Sequence, residues 1–425
     1  MKKVVLSLAA LAIGLTANAQ ENNKATVKQK GDTNLSTGIQ LGERNSLEVT
    51  QTNDRNASMV SQFGNENTST VNQEGDKNLV GNVIIGDSNR TITEQLGDDN
   101  ASFIDINGDN NLSVAFQNGD SNTAVASVNG GSNASQVVQV GTLNDAEITQ
   151  DGNSNYGVTY QIGDENKGLT VQYGSENEAI AFQTGDSNNF IAAQNGEANS
   201  NNLTQNGDYN GAYAYQSGAE NVIETTQTGE YNYNVTEQEG ERSYSWVNQD
   251  GFLNISDVKQ EGTINYSTIS QAGDLNQAYV DQSGVRNIST IDQLGDDNYA
   301  KVSQAHGSTS DIKQLEGGNY AEVTQAGFGN NSTVRQASEN FALVSQNGEL
   351  NTSLVDQRLS GNFANIVQEG GRNNSVALQT GAENLVDVLQ DGMANTSVIS
   401  QMSNQNSGIV SQIGNHNTSV VVQGR

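Results

Sequence analysis

Small or apolar residues alternate with polar residues along most of the chain. In the segment from Asn144 to Gln150, for example, Ala146 and Ile148 alternate with Glu147 and other polar residues. Side chains two positions apart share one face of a β-strand, whereas an amphipathic helix requires apolar spacings of three and four. The pattern therefore predicts β-strands with one face buried and the other in water.

A Gln occupies the last inward position of nearly every predicted strand and recurs every eleven residues from Gln29 to Gln423. Of the 37 positions in this register, 34 are Gln. The other three are Ile84, Ile106 and Val128. Two steps are ten residues long, from Gln304 to Gln314 and from Gln336 to Gln346. A period sustained over the whole length of a chain indicates a repeat architecture.

Each eleven-residue unit divides into a strand of seven residues and an arc of four. Gly stands two residues after the Gln position in 30 of 37 units, and Asn stands five residues after it in 33 of 36. Gly supplies the backbone angles that a bend requires. We expect inward amides to hydrogen-bond to their copies in neighbouring units, which satisfies buried groups and sets the stacking register.

The residues assigned to these ladders fall into three sets. The Gln set is Gln29, Gln40, Gln51, Gln62, Gln73, Gln95, Gln117, Gln139, Gln150, Gln161, Gln172, Gln183, Gln260, Gln304, Gln412 and Gln423. The Asn set is Asn34, Asn67, Asn100, Asn144, Asn166, Asn254 and Asn298. The arc glycines are Gly31, Gly64, Gly97, Gly141 and Gly163.

Two units are needed to return the chain to its starting side, so the predicted rung has 22 residues. The three Gln exceptions are 22 residues apart. Acidic residues directly after the arc Gly also follow this period, and they fill 11 of 13 sites in one column. These are Asp32, Asp54, Asp76, Asp98, Asp120, Asp164, Asp186, Asp208, Glu230, Asp274 and Asp296. The two sides of the rung therefore differ chemically.

The predicted fold is all-β, a β-solenoid of about 18 stacked strand-arc-strand-arc rungs that form two facing parallel in-register sheets. At about 4.8 Å per rung, the stack would be roughly 85 Å tall. One arc column is irregular between Gln304 and Gln357, where Glu316, Ser338 and Leu359 replace Gly. A kink or a weaker region is the expectation there.

Composition agrees with a chain built almost entirely of sheet. There is no Pro among 425 residues, where average usage predicts roughly 20. Proline lacks the N–H that a sheet ladder needs. There is no Cys, which excludes disulfides and thiol chemistry, and the net charge of −30 makes nucleic acid an unfavourable partner.

The N-terminus predicts export. Lys2 and Lys3 precede an apolar run from Val4 to Leu15, and Ala17-Asn18-Ala19 has the form of a signal-peptidase site. We expect residues 1–19 to be a removed signal peptide, residues 20–28 a short N-terminal segment, and residues 29–425 one solenoid domain. The apolar run is too short to span a bilayer, and no membrane insertion is expected.

The repeat resembles the curlin repeat of bacterial curli subunits, in which Ser, Gln, Gly, Asn, Ala and Gln recur at fixed spacing. Matching segments are Ser69-x-x-x-Gln73-x-Gly75-x-x-Asn78 and Gln139-x-Gly141-x-x-Asn144-x-Ala146-x-x-x-Gln150. The resemblance covers nearly all of the chain after the signal peptide. It implies a secreted amyloid-like fibre subunit of the biofilm matrix, with a nucleator subunit and an outer-membrane secretion channel as partners. Curli subunits have about five rungs and a longer N-terminal targeting segment, so this chain departs from the family in both respects.

An uncapped solenoid ends in open sheet edges, and the register here runs to both ends of the chain. Head-to-tail self-association into a fibre is therefore the expected activity. An enzyme is not expected, because catalysis needs a few convergent residues rather than copies of the same ones, and no cofactor is predicted. The alternatives are a monomeric surface adhesin and a cation-binding or ice-binding solenoid.

Two surface features have more than one interpretation. The acidic column consists of solvated turn residues, or of charges that delay assembly until secretion, or of a ladder for divalent cations. Aromatic residues in the middle rungs form either a lateral adhesion patch or ordinary scattered strand aromatics. They are Tyr209, Tyr213, Tyr215, Tyr231, Tyr233, Tyr244 and Trp246.

Overall fold

The computed structural model describes residues 22–424, so the predicted signal peptide lies outside the described residues. The described chain is a β-solenoid of 37 strands in two parallel sheets, which confirms the predicted fold class. Successive strands alternate between the two sheets. We call them sheet A, with 19 strands, and sheet B, with 18.

The strands have the following bounds. Sheet A contains β1 (Lys24–Lys30), β3 (Ser46–Thr52), β5 (Thr68–Glu74), β7 (Arg90–Leu96), β9 (Leu112–Asn118), β11 (Ala134–Val140), β13 (Tyr156–Ile162), β15 (Glu178–Thr184), β17 (Ser200–Asn206), β19 (Val222–Glu230), β21 (Tyr244–Phe252), β23 (Tyr266–Ala272), β25 (Ile288–Leu294), β27 (Thr309–Gln314), β29 (Asn331–Gln336), β31 (Thr352–Gln357), β33 (Asn374–Gln379), β35 (Thr396–Gln401) and β37 (Thr418–Gln423). Sheet B contains β2 (Leu35–Leu41), β4 (Ala57–Phe63), β6 (Leu79–Ile85), β8 (Ala101–Asn107), β10 (Thr123–Gly131), β12 (Asp145–Asn153), β14 (Lys167–Ser175), β16 (Asn189–Glu197), β18 (Gly211–Ala219), β20 (Tyr233–Glu241), β22 (Ile255–Thr263), β24 (Gln277–Val285), β26 (Tyr299–Ala305), β28 (Tyr320–Ala326), β30 (Phe341–Glu349), β32 (Phe363–Gly371), β34 (Leu385–Met393) and β36 (Ser407–Ile413).

Every pairing joins residues one rung apart, as in Gln51 beside Gln73 and Val49 beside Val71. Burial alternates along the strands, so that β5 has Ser69, Val71 and Gln73 inside and polar neighbours outside. The core is thin because its side chains are mostly Ser, Thr, Ala, Val, Ile and amides. A one-residue slip would expose this whole set, so the alternation maintains the register.

The two ten-residue steps shorten arcs and leave the strands in register. Ser308 takes the place of the arc Asn, and its N–H donates to Oδ1 of Asn287 (3.2 Å). Asn340 does the same after the second step, donating to Asn319 (3.1 Å). The Gln ladder continues across this stretch, from Gln293 to Gln314 at 2.9 Å. The irregular stretch therefore contains no break in the sheet.

From β27 onward, the arcs that follow the sheet A strands change form, and the change extends further than the sequence irregularity suggests. Most arcs have a Gly with positive φ two residues after the Gln, such as Gly97 (φ 113°). We call these glycine arcs. In the five arcs that follow β27, β29, β31, β33 and β35, the residue at this position does not have positive φ. In the last of them Met402 donates its N–H to the carbonyl of Gln423 (2.8 Å), and Ser403 occupies the Gly position. We call these five the C-terminal arcs.

Candidate assembly interface

The Gln side chains of sheet A form one unbroken ladder from Gln29 to Gln423. Nε2 of each Gln donates to Oε1 of the Gln one rung later, as from Gln51 to Gln73 (2.8 Å). The same Nε2 also donates to a carbonyl of the opposite sheet, as from Gln51 to Leu35 (3.1 Å). The ladder therefore joins rungs along the solenoid and ties the two sheets together.

The equivalent ladder of sheet B has a gap. Gln40 donates to Gln62 (2.8 Å), and the series resumes only where Gln150 donates to Gln172 (2.8 Å). Ile84, Ile106 and Val128 fill the intervening rungs and are fully buried. Oε1 of Gln150 consequently has no hydrogen-bond partner, because the rung before it offers no amide. Because the three apolar residues lie in adjacent rungs, the Gln side chains that lose a ladder hydrogen bond are those at the two ends of the gap.

The arc Asn residues form a second ladder in which both amide atoms are used. Nδ2 of Asn56 donates to the carbonyl of Gly75 (2.7 Å), and Oδ1 of Asn56 accepts the backbone N–H of Asn78 (3.0 Å). Asp has no N–H to donate and Ser is too short to make both bonds, which explains the preference for Asn. Each member of the predicted Asn set lies in this ladder.

The arc glycines are required by close approach between rungs. Gly31, Gly64, Gly97, Gly141 and Gly163 all have positive φ, between 113° and 123°. A Cβ at Gly97 would overlap the backbone carbonyl of Gly119 in the next rung. Positive φ disfavours a side chain independently of this overlap. The arc therefore selects Gly for two physical reasons that act together.

The acidic column has a structural role that the sequence did not reveal. Oδ1 of Asp98 accepts the backbone N–H of Asp76 (2.7 Å), and Asp98 donates its own N–H to Asp120 (2.8 Å). The same bond recurs at Asp54, Asp76, Asp120, Asp164, Asp186, Asp208, Asp274 and Asp296. Bonds from Thr142 also lower the pKa of Asp164. Within residues 22–424, no group of three or more acidic or His side chains is arranged to hold a metal ion.

Asn makes the same bond in the opposite arc column, where Oδ1 of Asn65 accepts the N–H of Glu43 (2.9 Å). We therefore expect Asp98→Asn to change the free energy of unfolding by less than about 0.5 kcal/mol. Asp98→Ala removes the acceptor and should cost about 0.5–1.5 kcal/mol. Denaturant midpoints of the two variants and the parent measure the difference. Equal destabilisation by both substitutions would show that charge, rather than the bond, matters.

The aromatic residues of the middle rungs, for which the sequence allowed either a lateral patch or scattered strand aromatics, occupy three separate surfaces. Tyr209 and Tyr231 stack in an arc at 4.8 Å between ring centroids, Tyr213 and Tyr233 lie on sheet B, and Tyr244 lies on sheet A. The longest aromatic ladder lies elsewhere, on the outer face of sheet B. It consists of Tyr299, Tyr320, Phe341 and Phe363, with centroid separations of 4.5–5.2 Å. An aromatic residue at the first strand position, every 21 or 22 residues, was the signal in the sequence.

Carboxylates crowd the outer face of sheet B around Asp257. Desolvation, followed by Glu237 and Asp281, raises the pKa of Asp257, while Lys259 opposes the shift. A raised pKa in the folded state favours the protonated form of Asp257. The ionised carboxylate therefore destabilises the fold as the pH rises above the pKa that Asp257 has in the unfolded chain. We expect Asp257→Asn to raise the denaturant midpoint slightly at pH 7, by less than about 1 kcal/mol because the side chain faces solvent. The gain should disappear below about pH 3, where both states are protonated.

The two end faces of the described solenoid carry unpaired groups of opposite kind. At the C-terminal end, Nε2 of Gln412 and of Gln423 donates only to a carbonyl, since no later Gln lies above either. At the N-terminal end of the described residues, Oε1 of Gln29 and of Gln40 accepts no hydrogen bond from a Gln. The C-terminal end therefore offers donors where the N-terminal end offers acceptors.

Apolar side chains are also exposed at the C-terminal end. Ile413 is 73% exposed and Val422 is 60% exposed, whereas Ile85, which occupies the position of Ile413 in an inner rung, is 45% exposed. Unpaired strand edges with apolar side chains favour addition of another strand.

No helix in the described part of the chain could cross a membrane.

Comparison with known families agrees with this architecture. The curlin-associated repeat matches five segments, residues 21–52, 42–75, 254–284, 273–305 and 360–392. These segments lie near the N-terminal end, in the middle and in the C-terminal part of the solenoid. A search of curated proteins found no match. The five matches, in a solenoid whose rungs share one construction, identify the chain as a curlin-repeat protein.

Proposed function

We propose that this chain is the structural subunit of an extracellular curli-type fibre, in which copies add head-to-tail through the ends of the solenoid. The observation that carries the proposal is the complementarity of the end faces. Gln412 and Gln423 present donors, and Gln29 and Gln40 present acceptors. Head-to-head contact would oppose like groups, so the ladders favour a polar fibre.

Head-to-tail contact is heterologous and does not close, which makes it a route to filaments of unlimited length. Each added copy extends both sheets and covers an apolar end face, as stacking does between rungs within the chain. Amide ladders and parallel in-register sheets are also the features that stabilise cross-β fibrils. A structural role in biofilm matrix and surface adhesion, with a nucleator and an outer-membrane secretion channel as partners, belongs to the same proposal.

The proposal is tested with the purified mature chain at tens of micromolar. We expect light scattering to rise with time, unbranched fibres in negative-stain images, Congo-red binding, and cross-β diffraction near the strand spacing of about 4.8 Å. A chain that stays monomeric for days under these conditions contradicts the proposal. That outcome would favour a monomeric adhesin, for which fibres are not expected.

A further inference from the structure

Both the first and the last described strands lie in sheet A. Among residues 22–424, sheet A has 19 strands and sheet B has 18, because β1 and β37, the first and last described strands, both lie in sheet A. Strands alternate between the sheets, so the next position after β37 is the place above β36 in sheet B. The proposed head-to-tail assembly does not by itself specify how a second copy fills this place, and any answer rests on that assembly.

We propose that successive copies in the fibre are related by a half-turn about the local solenoid axis. In this arrangement β1 of the incoming copy adds to β36, and its β2 adds to β37. Sheet A of one copy then continues as sheet B of the next. Pure translation would instead place β1 on β37 and leave a vacancy one strand wide above β36. The unpaired backbone groups around such a vacancy would be costly to bury.

The two sheets are built alike, which allows the half-turn. In sheet A, Gln51 donates to Gln73 at 2.8 Å and to the carbonyl of Leu35 at 3.1 Å. In sheet B, Gln40 donates to Gln62 at 2.8 Å, and Gln62 donates to the carbonyl of Ser46 at 3.1 Å. After a half-turn, Gln412 therefore meets Gln29 of the incoming copy, and both amides retain their normal geometry.

The outward side chains also match better after the half-turn. Alignment on the Gln residues places Val422 beside Ile39 of the incoming copy and Thr418 beside its Leu35. Leu35 and Val422 are both largely exposed on their own end faces. Translation would place Val422 beside Lys28 and bury no comparable apolar surface. Side-by-side apolar pairs on one sheet face stabilise strand pairing.

The stacking of the arcs is an independent argument for the half-turn. The half-turn stacks the arc from Gly31 to Asn34 on the arc from Gly414 to Asn417, and both are glycine arcs (φ 122° at Gly31 and 104° at Gly414). The N–H of Asn415 then faces the carboxylate of Asp32, as each arc N–H faces the next carboxylate elsewhere in the column. Translation would place the Gly31 arc in the other arc column and, because of the vacancy above β36, not directly on the last C-terminal arc, so it would have no arc to stack on.

Cysteine cross-linking distinguishes the two arrangements, and the chain has no native Cys that could form a competing disulfide. Lys28 lies in β1 at an outward, exposed position. The half-turn places it beside Ser411 of the preceding copy, and translation places it beside Val422 on the opposite sheet. The double variants Lys28→Cys/Ser411→Cys and Lys28→Cys/Val422→Cys share one cysteine and differ only in the second. All three positions face solvent, so folding should be unaffected.

Fibres of each variant are oxidised mildly and dissolved for denaturing electrophoresis without reductant. We expect a ladder of covalent multimers from Lys28→Cys/Ser411→Cys and almost none from Lys28→Cys/Val422→Cys. Single-cysteine variants control for contacts between neighbouring fibres. The reverse result, or no ladder from either variant in well-formed fibres, overturns the half-turn but leaves the fibre proposal standing. Failure of the parent chain to form fibres overturns both.

Discussion

Val420→Pro will stop fibre growth at the C-terminal end while the chain itself stays folded. The N–H of Thr396 donates to the carbonyl of Asn417, the arc residue directly before β37 (2.8 Å), and Thr418 is the counterpart of Thr396 in β37. Backbone groups two residues apart in a strand point the same way, so the N–H of Val420 points away from β35. Proline there removes a donor that only the incoming copy would use, and edge strands tolerate proline.

The variant retains a normal N-terminal face, so it should still dock onto wild-type fibres and then block further addition. We therefore expect small fractions of Val420→Pro to shorten wild-type fibres, measured as fibre length by negative-stain microscopy. Val420→Thr keeps the N–H and the branched side chain, and it should elongate normally. An unchanged length distribution with Val420→Pro would mean that fibres do not grow through this face. Circular dichroism and the denaturant midpoint check that the monomer remains folded.

Gln249→Glu will destabilise the solenoid strongly at neutral pH. Nε2 of Gln249 donates to Gln271 (2.9 Å) and to the carbonyl of Tyr233 (3.0 Å), and its Oε1 accepts from Gln227 (2.8 Å). The side chain is fully buried. A carboxylate there keeps the acceptor role but faces two oxygens, and an unpaired buried charge costs about 3–5 kcal/mol. We expect a loss of this size, read from the denaturant midpoint at pH 7.

The destabilisation caused by Gln249→Glu should be smaller in acid, because the new carboxyl group is buried. The folded state would raise the pKa of the new Glu, so the protonated form is favoured and can donate to Gln271. Stability relative to the parent is therefore highest below the unfolded pKa of about 4.3 and falls as pH rises above it. Gln249→Leu leaves Oε1 of Gln271 without a donor and removes one of the two hydrogen bonds of Nε2 of Gln227. This should cost about 1–3 kcal/mol and should not vary with pH. A pH-independent loss for Gln249→Glu would contradict a buried, uncompensated carboxylate.

The amide ladders show that the period of the repeat predicts which residues are neighbours but does not predict the direction of their hydrogen bonds. The positions of Gln51 and Gln73 follow from counting, because in-register stacking makes each residue's neighbours its own copies. The direction of the hydrogen bonds does not follow, since an amide offers a donor and an acceptor and the sequence does not orient them. That direction determines which end of the solenoid offers donors.

The acidic column illustrates the same limit. Its period of 22 residues separates the two arc columns, yet solvated turns, delayed assembly and cation binding are all compatible with that period. Only the backbone path places the carboxylate of Asp98 against the N–H of Asp76. The change of form in the C-terminal arcs was only partly visible, because Glu316, Ser338 and Leu359 mark three of them, whereas the arc with Gly381 looks regular in the sequence.

The sequence by itself determined the strand period, the inward and outward faces, the 22-residue rung and the parallel register, because one alternation repeated many times allows a single stacking. The tertiary structure decided the polarity of the ladders, the backbone bonds of the acidic column, the stacking of Tyr299 with Phe341 through Tyr320, and the form of each arc. These depend on where atoms of successive rungs meet in space. The end faces depend on both, since the strand count comes from the repeat and the complementarity of the two faces comes from the fold.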